Sequence, residues 1–222
     1  MQVSAASCAN FLGLELVGEN TDLICVANLE VDQERAVKFV DTFREDLVDL
    51  LNSQTTNFVI AASQYENKLL VSHVISDNPR LDFCRVAKRF FPLLSEPKIE
   101  LSAIIADDVV LGDGIYIGHN VVVESGVEIG SGTAVLHNVV IGKKTKIGRD
   151  CLIKSGTVIG QRGFGFARDS DGIPHSFPHY GTVFVGDNVE IGALNTIVAG
   201  ALADTFIGDY VKTDDHVHIA HN

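Results

Sequence analysis

The sequence predicts a mainly β protein, a parallel β-helix wound from six-residue repeats and preceded by a small α/β domain. Three observations carry this prediction. From Ile105 onward every sixth residue is aliphatic: Ile105, Leu111, Ile117, Val123, Ile129, Val135, Ile141, Ile147, Ile153 and Ile159. The next residue is usually small, as in Ala106, Gly112, Gly118, Gly130, Gly142, Gly148 and Gly160. The segment before the repeat has a different, mixed helix and strand pattern. If about three residues in ten were aliphatic, chance would give such a run with odds on the order of one in 10⁵.

Taken in order, Met1 to Val17 reads as an amphipathic helix of a soluble protein, with Ala5 to Leu14 as its center. Leu23 to Val31, Asn57 to Ala62 and Leu69 to Ile75 read as strands, and Asp32 to Leu51 and Pro79 to Phe90 as helices. Asp77-Asn78-Pro79 is the turn that starts the last of these. Residues 1–98 thus form an α/β domain and residues 99–222 the coil.

Within the coil a bulky aliphatic fills each inward position of a triangular prism, and three hexads complete one turn. Ile105, Val123, Ile141 and Ile159 should therefore stack in one column. Glycine or alanine beside the aliphatic lets the chain turn a crowded corner. After Gly160 the rhythm breaks. Gln161 to Thr182, rich in Gly and Pro, reads as a loop thrown out of the coil within residues 161–184. The repeat resumes at Val185, Ile191 and Ile197, admits four extra residues before Ile207, and continues through Thr213 and Ile219.

Composition narrows the function. The chain has 222 residues, 46% of them apolar, enough for a sizeable core. A formal net charge of −12 argues against a nucleic-acid binder, which needs clustered Lys and Arg against phosphate. No apolar run approaches the roughly 18 residues that span a bilayer. Cys8, Cys25, Cys84 and Cys151 show no CxxC spacing and read as reduced, mostly buried thiols of a cytoplasmic protein.

The sequence resembles the UDP-3-O-(3-hydroxyacyl)glucosamine N-acyltransferases of lipid A biosynthesis over essentially its whole length. The residues that carry the resemblance are Gly163-Phe164-Gly165-Phe166-Ala167, Val185-Gly186-Asp187-Asn188-Val189-Glu190-Ile191-Gly192-Ala193, Gly200-Ala201-Leu202-Ala203-Asp204-Thr205 and Ile219-Ala220-His221-Asn222. Leu12-Gly13-Leu14-Glu15-Leu16 and Asp77-Asn78-Pro79-Arg80 are similar to the family's first domain. The resemblance implies a left-handed coil, a homotrimer with active sites between neighboring subunits, and no cofactor or metal. It also implies transfer of a 3-hydroxyacyl chain from acyl carrier protein to the 2-amino group of a UDP-sugar. His221 matches the family's catalytic histidine, Asp214 the acidic residue that polarizes it, and Asn222 completes the motif.

The chemistry of those residue types agrees with this role. A sugar ammonium must lose a proton before its nitrogen attacks a thioester, and imidazole titrates near neutral pH. A carboxylate on the other ring nitrogen fixes the tautomer. A backbone N–H at a coil corner suits the tetrahedral oxyanion, and Gly200 is the candidate. Phe164 and Phe166 line an acyl or sugar pocket or else staple the loop to the coil.

The sequence departs from the family in three places. Its uridine pocket uses a Phe, an Asn and a Tyr in the first domain; here Phe39 matches the first, and only Thr42 and Phe43 lie near the other two positions. Val198-Ala199 stand where the family has Asp-Arg. Relatives continue past Ile-Ala-His-Asn with further coils and C-terminal helices, whereas this sequence stops at Asn222. Alternatives are transfer of a shorter acyl group from coenzyme A to another amino-sugar nucleotide, and a non-catalytic or metal-binding scaffold. His216, His218 and His221 would serve the last of these, with solvated surface histidines as its bland counterpart. Lys143, Lys144, Lys146, Arg149, Lys154, Arg162 and Arg168 are the basic concentration, suited to an acidic carrier or simply to a solvated face.

Overall fold

A computed structural model describes residues 3–92 and 96–221 and divides into two compact units, Met1–Leu93 and Leu94–Asn222.

The first unit begins with strand β1 (Val3–Ser4) and helix α1 (Ala5–Leu12). Ser4 caps α1, its hydroxyl accepting from the Ser7 N–H, and Gly13 ends the helix in the left-handed conformation at φ 70°. The helix is therefore shorter than the apolar stretch through Val17 suggests. β1 pairs antiparallel with β2 (Asp22–Leu23). The strands β3 (Cys25–Val26), β4 (Ala36–Val40), β5 (Phe58–Ala61) and β6 (Ser72–Ile75) form one parallel sheet in that order. Helix α2 (Glu45–Ser53) lies between β4 and β5 in sequence, and α3 (Pro79–Phe90) follows β6. One core joins Ala5, Cys8 and Ala9 of α1 and Val86 of α3 to Val37, Phe58, Ile60 and Val74. A second joins Leu47 and Leu51 of α2 to Val40, Val59 and Ala61. A sheet covered on both sides is the expected home of parallel strands.

Two readings of this unit need correction. Residues 32–51 are not one helix: β4 occupies Ala36–Val40 and only Glu45–Ser53 is helical. Lys38 broke the apolar run that marks a central strand, yet it is fully buried in β4. Its Nζ donates to the Val31 carbonyl and to Gln54 Oε1, each at 2.6 Å, so the charge is satisfied inside, although burial lowers its pKa. The strand expected over Leu23 to Val31 is reduced to β2 and β3, and Ala27 to Val31 are irregular. Of the four free cysteines, Cys8 and Cys151 are buried, Cys25 is half-buried and Cys84 is exposed. Burial pushes the Cys8 thiol up to about 11.

In the second unit the two-residue strands stack into three parallel sheets. Val123 pairs in register with Ile105 and Ile141, Ile141 with Ile159, Ile159 with Ile197, and Ile197 with Ile219. A second column runs Ile99, Ile117, Val135, Ile153 and Ile191, and a third Leu111, Ile129, Ile147, Val185 and Ile207. The predicted column is therefore one edge of the core. Small residues beside the aliphatics serve close approach between coils: a Cβ on Gly130 would lie 2.6 Å from the carbonyl carbon of Gly148. Except at Gly160 (83°), the positive φ that turns the corner falls elsewhere, at residues such as Gly126 (76°) and Asn138 (58°).

Ile141 is fully buried between Val123 and Ile159. Ile141→Ala should destabilize the coil by about 2–5 kcal/mol, read as a lower denaturant midpoint in the coil's unfolding transition. An unchanged midpoint would contradict a packed interior.

Candidate active site

The coil is interrupted twice, and the interruptions meet. The strand Val158–Arg162 pairs with Thr196–Ala199 through a register shift between Ile159 and Gln161, and there the chain leaves the helix. The expected loop contains a hairpin of Phe166–Arg168 against Pro174–Ser176. Asp169 holds its tip, accepting from the N–H groups of Asp171 and Ile173 at 3.0 Å each and facing His175 Nε2 at 2.7 Å. The His175 imidazole, then the Ile173 N–H, keeps the Asp169 carboxyl below its usual range. The second interruption lies between Ala199 and Thr205, strand ends of the resumed coil. Tyr180 N–H donates to the Ala201 carbonyl at 2.8 Å, and Thr182 N–H donates to Asp204 Oδ1 at 2.7 Å. The hairpin's return limb is thereby stitched to the second excursion.

Between them lies an open cleft of about 550 Å³ lined by Gly165, Phe166, Phe177, His179, Ala201, Leu202, Ala203 and His221. Its lining is largely apolar, with two imidazoles as the polar groups, which suits an acyl chain beside an acid–base center. His221 Nε2 lies 3.4 Å from the Phe164 carbonyl, and the His179 and His221 rings meet edge to face at 4.8 Å between centroids. A carbonyl only accepts, so Nε2 carries the proton and the lone pair of His221 sits on Nδ1. That Nδ1 is buried and has no hydrogen-bond partner. Such a nitrogen is a proton acceptor that the fold itself does not occupy.

The other predicted residues fall in separate places. Phe166 lines the cleft, whereas Phe164 contributes its carbonyl and turns an exposed ring edge-to-face toward Phe166 at 5.7 Å. Asp214 stands at the corner before the strand His218–Ile219 and His221 at the corner after it. Its Oδ1 accepts from the Asp215 N–H at 2.8 Å, and no hydrogen bond joins it to His221 among the described residues. Gly200 directs its N–H at the Thr182 carbonyl over a long 3.5 Å. A Cβ there would collide with the Ala203 carbonyl oxygen. Asn222 lies outside the described residues. His216 sits in a turn at φ 59° and His218 in the last strand, both exposed. Among the described residues no three His, Cys, Asp or Glu side chains group as metal ligands. Much of the basic concentration is neutralized across coils, by Lys146–Glu128 at 2.8 Å, Arg149–Asp187 at 2.9 Å and Lys154–Glu190 at 3.3 Å. The N–H and then the guanidinium of Arg149 hold Asp187 below the usual carboxylate range.

In the first unit Phe39 lines a cleft of about 530 Å³ together with Val26, Ala27, Asn28, Leu29, Asp41, Arg80 and Phe83. Phe39 and Phe83 pack at 4.8 Å between centroids. Phe43 is not part of this cleft; it packs on Tyr65 at 5.1 Å under the Lys68 ammonium. Asn28, from the segment after β3, brings a side-chain amide to the lining of the same cleft. Nothing in the local sequence around Asn28 signals this, because parallel pairing of β3 with β4 brings it beside Phe39. His179 was likewise invisible as a site residue, since only the hairpin carries it to His221.

Comparison with known proteins places the chain in a family. Residues 126–161 match the family model for the bacterial transferase hexapeptide (six repeats). The UDP-3-O-acylglucosamine N-acyltransferase of Pseudomonas syringae pv. tomato is 33% identical over 99% of this chain and 68% of its own length. That of Cupriavidus taiwanensis is 39% identical over 67% of this chain and 48% of its own. That of Chromohalobacter salexigens reaches 55% identity over a 60-residue stretch, 27% of this chain and 17% of its own. A solved UDP-N-acetylglucosamine acyltransferase from Bacteroides fragilis superposes at a TM-score of 0.49 with 25% identity, over 56% of this chain and 46% of its own. The chain thus spans about two thirds of the length of its full-length curated matches. At 33–35% identity over 99% of its length and 68% of theirs, the chain belongs to the UDP-3-O-acylglucosamine N-acyltransferase family.

Proposed function

We propose that this protein transfers a 3-hydroxyacyl chain from acyl carrier protein to the 2-amino group of a UDP-3-O-acylglucosamine in lipid A biosynthesis, as a cytoplasmic homotrimer. The observation that carries the reading is the His221 imidazole, seated at an apolar cleft with a buried, unoccupied Nδ1. Nδ1 takes the proton as the sugar amine attacks the thioester carbon. The imidazolium so formed keeps its Nε2–H on the Phe164 carbonyl, a bond that strengthens when the ring is charged. This carbonyl fixes the tautomer, the part that a carboxylate plays in a triad. Asp214 Oδ1 accepts from the Asp215 N–H instead, and in this reading the Phe164 carbonyl takes the polarizing part that the resemblance gives to Asp214. Gly200 remains the oxyanion donor in this reading, its long bond to Thr182 giving way to a stronger one with the oxyanion. Phe166 and Leu202 flank the acyl chain. No helix of the described residues is long and apolar enough to cross a membrane.

The first unit binds the nucleotide. Phe39 offers a face to uracil, Asn28 an amide to its edge, and Arg80, in the first turn of α3, a cation to the diphosphate. Base stacking is worth about 1–3 kcal/mol, so Phe39→Ala should raise the KM for the UDP-sugar by roughly 5- to 150-fold with kcat little changed. An unaltered KM would remove this cleft from the reading.

Mass spectrometry of UDP-3-O-(3-hydroxyacyl)glucosamine incubated with the protein and either 3-hydroxyacyl carrier protein or 3-hydroxyacyl coenzyme A tests the activity. The expected product is heavier by one hydroxyacyl group, formed faster from the carrier protein. Preference for coenzyme A would identify the donor differently, and no product from either would sink the proposal.

A further inference from the structure

Resting on the acyl-transfer reading of the same cleft, we infer that His179 is a second catalytic residue, the general acid that protonates the departing thiol while His221 deprotonates the amine. Three observations meet on His179. Its Nδ1 lies 3.0 Å from the Phe177 carbonyl, which can only accept, so Nδ1 carries a proton and Nε2 is the exchangeable position. That Nε2 is buried and has no partner, like Nδ1 of His221. Both side chains line one cleft and touch at 4.8 Å between ring centroids. Backbone carbonyls of the two limbs of one hairpin, Phe164 and Phe177, thus hold the two rings and leave one nitrogen of each unoccupied.

A structural histidine would be expected to satisfy its buried nitrogen, since an unpaired polar atom is costly. Two such nitrogens in one cleft are what an acid–base pair requires: one ring enters the reaction protonated, the other neutral. The bond changes balance. The amine nitrogen forms its bond to the thioester carbonyl carbon and yields its proton to His221 Nδ1. As the tetrahedral intermediate collapses, the C–S bond breaks, its electron pair goes to sulfur, and the proton on His179 Nε2 joins that sulfur. A proton then passes from His221 back to His179, directly or through solvent, and no other co-reactant is needed.

The test exploits the leaving group. An alkyl thiolate needs a proton to leave as thiol, whereas a nitrothiophenolate departs without one. His179→Gln keeps polarity and approximate volume but has no proton to give. With the 3-hydroxyacyl carrier thioester, His179→Gln should lower kcat about 10²-fold and leave both KM values near wild type. With the same acyl group on 4-nitrothiophenol, supplied at millimolar concentration, its rate should come within about threefold of wild type by the same estimate. His179→Phe, which keeps the ring contact without any nitrogen, should show the same pattern. Wild-type kcat in His179→Gln on the carrier thioester would overturn the inference. So would an equal loss on both donors, which marks a packing role, and so would a wild type whose rate does not respond to the activated donor. A wild type inactive with every thioester would instead defeat the acyl-transfer reading itself.

Discussion

His221→Ala should lose turnover by about 10²- to 10⁴-fold, the contribution expected of a positioned general base, while the fold and the thermal midpoint stay as they are. The imidazole is seated by one backbone carbonyl, one ring contact and the bare backbone of Gly163, all from the hairpin. It contributes nothing to the stacked aliphatic core, against which Ile219 packs two residues earlier. Stability and activity should therefore separate cleanly in this variant. Acyl transfer followed by mass spectrometry gives the first quantity, circular dichroism on heating the second. Near-normal kcat would remove His221 from the mechanism, and unfolding of the variant would show that the ring is structural.

The second large effect should come from Gly163→Ala. Nothing in the backbone forbids alanine, because Gly163 does not occupy the left-handed region. The obstacle is space. A Cβ at this position would lie 2.5 Å from His221 Cδ2 and 2.8 Å from His179 Nε2, so one methyl group displaces both imidazoles. Misplacing a reacting group by about 1 Å costs on the order of 10²-fold, and kcat should fall by that much with the thermal midpoint within a degree or two. Gly165→Ala is the matched control, since its Cβ would meet Phe177 Cβ at 3.4 Å and His179 Cε1 at 3.9 Å, both ordinary contacts that displace neither ring. It should stay within a few-fold of wild type. Equal activity in the two variants would mean that the close approach at Gly163 does not position the catalytic rings.

Particular residues show where the sequence was legible. The three-hexad column of Ile105, Val123, Ile141 and Ile159 follows from the period alone, because repetition fixes register wherever one edge must be buried. Helix α3 was visible from its ends: Asn78 caps it and Pro79 opens it, and both signals are local. Strand β4 was not, because Lys38 looks like a surface residue until carbonyls from Leu29 and Val31 and the Gln54 amide surround its ammonium. The break after Gly160 announced an excursion but not the hairpin within it, which depends on Asp169 gathering its own turn.

The repeat, the coil it winds, the place of both interruptions and His221 as the candidate base are legible in the sequence, because each is written in spacing or in an ordered motif. Only the tertiary structure decided that Asn28 joins Phe39, that Phe43 does not, that Asp214 stands a corner away from His221, and that His179 touches it. The physical reason is that period and capping are short-range constraints that neighboring residues satisfy among themselves. The site is instead assembled from segments distant in sequence, where bare backbone at Gly163 and hydrogen bonds between the two excursions set which side chains can meet.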